Sequence, residues 1–256
     1  MSKNVLFVTE GSRDARFLGK LLGQFRNGEK YEVFSYRTSI HELLRGLITD
    51  GSIDADLDFI MFLKESKTSV GQEDVLKHKF TDVFLVFDMD PQHHMYDSEK
   101  LMIAMEYFGD STENGKLFLN YPMLESYRHV PNPYDEGYLG LTVGKDQISS
   151  NYKGLAASEG SPLLADLAKI DLKLWERIIT LNLTKVNVIL NSQKTLPDAE
   201  TYLSFSGRKI LETQTRLLNE EEWIYVLNTS LFVVVDYAPK AILEQLKNPD
   251  RSSDGH

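Results

Sequence analysis

The chain has 256 residues, 42% of them hydrophobic, enough for a sizeable core in one large domain or two modest ones. It contains no cysteine, which excludes disulfides and cysteine-based zinc sites and fits a reducing cytoplasm. A formal net charge of −10 argues against tight, non-specific DNA binding, but leaves room for a local basic groove, a basic partner subunit or a site where divalent cations offset carboxylates.

The opening MSKNVLFVTEG has one lysine and an apolar run too short for an export segment. Its apolar part, Asn4 to Gly11, reads as a buried strand stopped by glycine. In SRDARFLGKLLGQF, Leu18, Leu21, Leu22 and Phe25 share a helical face, with Ser12 suited to the N-cap. Residues 30–38 read as a second strand. SIHELLRGLIT reads as a helix with Ser39 and Glu42 at capping-box spacing, and ADLDFIMFLKES is read as helix. TDVFLVFDMD is the strongest strand signal in the chain. SEKLMIAMEYFG is a predicted helix ended by Gly109, and KLFLNYP (residues 116–122) is another apolar strand.

This alternation predicts an α/β fold with a mostly parallel sheet flanked by helices over residues 1–130. Residues 131–161, rich in Gly, Pro, Ser and Tyr, are expected to form a loop or linker. From Pro162 the pattern is helical to residue 247, in four stretches: 162–183, 197–219, 220–237 and 239–247. A helical C-terminal region is therefore expected. VLNTSLFVVVDYA is too short and too polar to span a bilayer and reads as part of a buried helix, so no membrane association is expected. Residues 248–256 are expected to be a disordered tail.

Three acidic positions fall at equivalent places in this plan. Glu10 ends the first strand, Asp88 and Asp90 end a central one, and Glu125 follows the LFLNYP strand. Asp14 lies four residues after Glu10, in the first turn of a helix, where the dipole favours a carboxylate. The carboxyl ends of parallel strands share one edge, so these groups can converge. Carboxylates meeting there suit a hard cation such as Mg²⁺, which removes their mutual repulsion and leaves room for phosphate. The usual task of such a site is phosphoryl or phosphodiester chemistry. Each acid taken singly also has a plain structural reading, as a turn cap or a solvated helix residue.

The combination resembles the TOPRIM (topoisomerase–primase) fold. FVTEGSRDARFL is similar to its first motif, with Glu10 as the glutamate and Asp14 in the secondary acidic position used by the nuclease branch. VFLVFDMD is similar to its D-x-D motif. LNYPMLESY resembles the asparagine–proline–glutamate segment of TOPRIM proteins of the OLD/RloB-like type from bacterial defence loci, with Asn120, Pro122 and Glu125 matching. The resemblance covers about the first 130 residues. It implies a Mg²⁺- or Mn²⁺-dependent endonuclease acting on DNA, RNA or tRNA, a toxic effector beside an ATPase partner, able to form a homo-oligomer. On that reading Glu10 acts in acid–base chemistry and joins Asp88 and Asp90 at the metal, while Asp14 and Glu125 complete the catalytic set. D-x-D is followed here by PQHHMYD, without the further acid that topoisomerases carry, which argues against strand passage.

No strong phosphate-binding motif is present. Arg13, Arg16, Arg128 and Lys153 are the candidate cations, and His93, His94 and His129 lie near the acids in sequence. Two rival classes stay open. FLVFDMDP also resembles the first motif of haloacid-dehalogenase-type phosphatases, in which Asp88 would be the nucleophile. Pro91-Gln92 after the motif, and the lack of a downstream acidic strand end, count against that reading. The other rival is a non-catalytic TOPRIM-like subunit that binds or senses a partner. There is no G-x-x-x-x-G-K-[ST], no G-x-S-x-G and no H-E-x-x-H, which removes P-loop ATPases and two common hydrolase classes.

Overall fold

The computed structural model describes residues 4–25, 30–66 and 70–248. Apolar runs too short to be helices become the central strands: β1 (Asn4–Thr9), β2 (Lys30–Ser35), β5 (Asp82–Asp88) and β7 (Gly115–Asn120). They lie parallel in one five-stranded sheet of order β2-β1-β5-β7-β6, which the short β6 (Gly109–Asp110) closes on one side in antiparallel fashion. Val5, Leu6, Phe7 and Val8 on β1 have no exposed surface, as expected of a strand covered on both faces. Each such side chain contributes roughly 1.5–3 kcal/mol by leaving water.

Helices cover the sheet through apolar stripes. In α1 (Ser12–Phe25) the buried set is Phe17, Leu18, Leu21 and Leu22, joined by Asp14. The helix begins at Ser12 itself, and its first backbone bond runs from Ala15 N–H to the Gly11 carbonyl. In α2 (Ile40–Leu47) the cap at Ser39 accepts from the Glu42 N–H, as the sequence spacing implied. A small hairpin of β3 (Ile48–Thr49) and β4 (Ser52–Ile53) follows α2. Then come α3 (Phe59–Glu65), capped by Asp58, and, after β5, α4 (Ser98–Tyr107), capped by Asp97.

The second half differs from its expected plan in four places. The supposed loop of residues 131–161 contains β8 (Thr142–Gly144) and the 15-residue α5 (Lys145–Glu159). Only Ile148, Tyr152 and Ala156 of α5 are buried, and Asn151 breaks the helical backbone, so its periodicity is faint. Residues 162–171 make two short 3-10 turns before α6 (Leu172–Asn191) starts at its Asp171 cap. In the third place, the helix expected over 220–237 is divided. Trp223–Tyr225 is strand β9, paired with β8, followed by a 3-10 turn and the five-residue α9 (Val233–Tyr237). Aromatic and β-branched residues favour the strand there. The stretch expected as one helix over 197–219 is α7 (Ala199–Leu203) and α8 (Gly207–Glu220), parted where Ser206 caps the second; α10 (Pro239–Lys247) ends the described chain. Most of the expected tail, residues 249–256, lies outside the described residues. One buried apolar cluster runs through both halves, from Val5 to Leu246. Among the described residues no helix is long and apolar enough to cross a membrane.

Candidate functional site

Strand register brings the acids to one edge. Thr9 pairs with Val86 on β5, so Glu10 leaves β1 beside the end of β5, where Asp88 pairs with Asn120 on β7. Asp90 follows two residues later with a left-handed backbone (φ 44°), a conformation Asp tolerates better than most residues and one that turns the chain sharply. The Met89 N–H donates to the Asn120 carbonyl and the Asp90 N–H to the Pro122 carbonyl, tying the D-x-D turn to the neighbouring strand end. An open cavity of about 650 Å³ lies over this edge. Glu10, Asp14, Asp88, Glu125, Arg13, Arg37 and Lys153 are among its lining residues.

The acids differ in what they touch. Glu10 Oε2 is buried and has no hydrogen-bond partner. Asp88 Oδ1 accepts from Asn120 Nδ2 at 3.2 Å. Asp14 is buried and accepts the Gly11 N–H at 3.1 Å, the side-chain half of a capping box, so it has a structural role at the start of α1. Glu125, 4% exposed, receives Arg13 Nη1 at 2.5 Å, and Lys153 Nζ stands 4.0 Å from the same oxygen. Asp90 takes a hydrogen bond from Gln92.

Burial, and then their mutual charge, favours the protonated form of several of these groups. Burial first, then the charges of Asp14 and Asp90, raise Glu10 to about 7. Burial also raises Asp14 to about 6, against the pull of the Gly11 N–H. Asp88 lies well above the ordinary range, through burial and then the charges of Glu10 and Asp14. Asp90 is raised less far, chiefly by burial, because His93 and Lys153 oppose it. Such a group of acids is electrostatically unfinished without a cation.

Among the described residues, however, no three His, Asp or Glu side chains stand close enough together to hold a metal ion. The donor chemistry still fits a hard cation: all the candidate ligands are carboxylate oxygens, and one of them, Glu10 Oε2, is a buried acceptor with nothing to accept from. Glu10, Asp88 and Asp90 are the residues that would hold such an ion.

The four expected cations gather beside the acids. Arg13 and Lys153 line the acidic cavity, and both also line an adjoining pocket with Arg16 and Arg128. His93 lies beside Asp90 and stacks between His41 and His94, with ring centres 4.9 and 4.6 Å apart. His41 is held down to about 4 by burial and by His93, and its Nε2 lies 3.0 Å from the Met89 carbonyl. His129 is buried between Tyr152 and Glu159, both within hydrogen-bond distance, and its place is structural.

Sequence reasoning missed the supports. Asn120 is fully buried, and its Oδ1 accepts the Ser230 N–H at 3.2 Å, which turns its amide nitrogen toward Asp88. Thr229 Oγ1 donates to the Leu119 carbonyl at 2.6 Å, and Asn228 Nδ2 donates to the Leu124 carbonyl at 2.9 Å. The polar Asn228-Thr229-Ser230 inside an apolar run was the available signal. The chain matches no protein-family model and has no match among curated proteins or solved structures.

Proposed function

We propose that this chain is a divalent-metal-dependent endonuclease of the TOPRIM kind, hydrolysing phosphodiester bonds in DNA or RNA, including tRNA. The observation that carries this reading is the meeting of Glu10, with its unpartnered buried oxygen, and Asp88 at one sheet edge, beside four cations able to receive phosphate. A bound Mg²⁺ or Mn²⁺ would polarise a phosphate oxygen and lower the pKa of a water molecule. Glu10, Asp88 and Asp90 are the proposed ligands. Asn120 orients Asp88 and has no contact with substrate in this scheme. Arg13 and Lys153 neutralise phosphate charge, and Glu125 positions Arg13. Asp14 holds the turn that presents Glu10. The OLD/RloB-like resemblance alone supports the further proposal that the protein is a toxic effector of an anti-phage system, working in the cytoplasm with an ATPase partner.

Calorimetric titration with Mn²⁺ and Mg²⁺ tests the metal. The wild type should bind, and Asp88→Asn should lose binding at least tenfold while keeping its circular dichroism. A wild type that binds neither ion sinks the proposal. A second reading, a non-catalytic interaction subunit, is favoured by the Arg13–Glu125 ion pair and by the lack of three converging ligands. It requires that Glu10→Gln leave every biological output of the protein intact, whereas the nuclease reading requires that output to be lost.

A further inference from the structure

The pocket next to the acidic cavity, about 420 Å³ in volume, has chemistry of its own. Its cations are Arg13 and Arg16 from α1, Arg128 from the turn after β7, and Lys153 from α5. Arg13 is paired with Glu125, but Arg16 and Arg128 have no acidic partner among the described residues. Arg128 donates from Nη2 to the Lys153 carbonyl at 3.1 Å, and its Nε is buried without any partner. In a chain with 38 acidic against 28 basic residues, such a concentration calls for an anion. Guanidinium groups held in a fixed fork select phosphate oxygens.

The shape of the pocket limits what that anion can be. Its inner side opens on the acids, because Arg13, Leu124, Glu125 and Lys153 line both spaces. Phe17 and Tyr127 line it with apolar surface, and Ala165, Asp166 and Leu167 form another wall. Asp166 adds a carboxylate to that wall, partly offset by Lys169 at 3.8 Å, so the cations are not continued by a further basic track there. The basic footprint therefore serves a compact, highly charged group and not a long duplex track.

We propose that this pocket binds the terminal phosphomonoester of a nucleic-acid strand and so sets the distance from a strand end to the bond that is cut. The inference rests on the nuclease reading and names its substrate class: strands bearing a terminal phosphate, as opposed to closed circles. Arg16 and Arg128 hold the terminal dianion, while Lys153 and Arg13 bridge to the phosphate over the acids. With about three to four phosphate charges neutralised, binding should weaken with salt at a correspondingly shallow slope.

Binding is measured by fluorescence anisotropy without divalent metal, on short single-stranded DNA and RNA carrying a 5′-phosphate, a 3′-phosphate or neither. One phosphorylated form should bind at least tenfold tighter than the unphosphorylated strand. Arg16→Ala, on the exposed side of α1, should abolish that preference. Equal affinity for all three strands overturns the proposal, as does a mononucleotide that competes as tightly as the strand. Cleavage with Mg²⁺ or Mn²⁺ is measured separately. End preference without cleavage of any substrate leaves the subsite standing and removes the nuclease reading. Cleavage of circular and linear strands at equal rates removes the subsite and leaves the nuclease.

Discussion

The side-chain amide of Asn120 donates to Asp88 Oδ1 at 3.2 Å across the carboxyl ends of neighbouring parallel strands. Its other end accepts the Ser230 N–H, so a residue 110 positions away orients the candidate ligand. Asn120→Ala strands both partners in a buried place and should cost about 1–3 kcal/mol. Asn120→Asp keeps the acceptor for Ser230 but sets a further carboxylate against Asp88. It should be destabilised more strongly at pH 8 than at pH 5. Urea midpoints at the two pH values check both statements. A variant Asn120→Ala as stable as wild type would mean that the amide contributes nothing.

The crowded carboxyls make stability depend on pH in an unusual direction. Glu10 moves from 4.5 to about 7 and Asp14 from 3.8 to about 6 on folding. The unfolded chain therefore releases these protons more readily. The stabilisation is full at low pH, below the unfolded values, and is lost as pH rises toward about 7. In the presence of EDTA, the protein should lose on the order of 2 kcal/mol between pH 5 and pH 8. Glu10→Gln should remove most of that slope and raise the melting temperature at pH 8. A Glu10→Gln variant with the same pH dependence of stability as the wild type would contradict the crowding.

Much of this edge was legible in the sequence, and the reason is local. A short apolar run ending in an acid states both the strand and the place of its last side chain, so Glu10 and Asp88 could be located without coordinates. Asn120 could be read as part of a motif but not as a support, because its partner Ser230 is distant in sequence. The faintness of α5 has another cause: Ile148 and Tyr152 are its main anchors, and Asn151 breaks the helical backbone between them. The pairing of Arg13 with Glu125 is not legible either, because the two lie 112 positions apart in sequence.

Gly160, at the end of α5, packs against the backbone of Arg128. A Cβ there would lie 2.1 Å from the Arg128 carbonyl and 2.6 Å from that of Ala156, both backbone atoms that cannot swing aside. Gly160→Ala should therefore cost roughly 2 kcal/mol or more and move Arg128. Thermal melting and hydrogen exchange at residues 126–132 check it. Unchanged exchange there would show that the close approach is readily relieved.

Lys185 is fully buried and has no carboxylate partner among the described residues. Its Nζ donates to the carbonyls of Leu141 and Val226, each at 2.8 Å, and sits 3.9 Å from the Tyr138 ring centre. Burial holds its pKa well below the usual lysine range. Lys185→Met keeps the aliphatic stem but takes the ammonium donor from the buried Val226 carbonyl, while that of Leu141 keeps the Val226 N–H, at a cost of about 1–2 kcal/mol. The depressed folded pKa means that the contribution of Lys185 is complete only at high pH and shrinks as pH falls. The penalty of the substitution should accordingly be smaller at pH 6 than at pH 9. A penalty independent of pH would place a fully charged ammonium in the core.

Arg13 and Glu125 form an asymmetric pair, and the asymmetry sets the outcome of breaking it. The arginine side chain is 66% exposed and that of Glu125 only 6%. Removing Glu125 returns Arg13 to water with little loss. Removing Arg13 leaves a buried carboxylate whose remaining cation is Lys153, at 4.0 Å. Arg13→Ala should thus cost about 1–2 kcal/mol and Glu125→Gln clearly less, although both delete the same contact. In the double variant, Arg13→Ala should cost almost nothing further, because its harm lies in the charge it strands. Urea denaturation of the four proteins at pH 7 measures this. Equal single costs would mean that water already reaches Glu125, and the case for a closed, cation-seeking acid cluster would lose one of its walls.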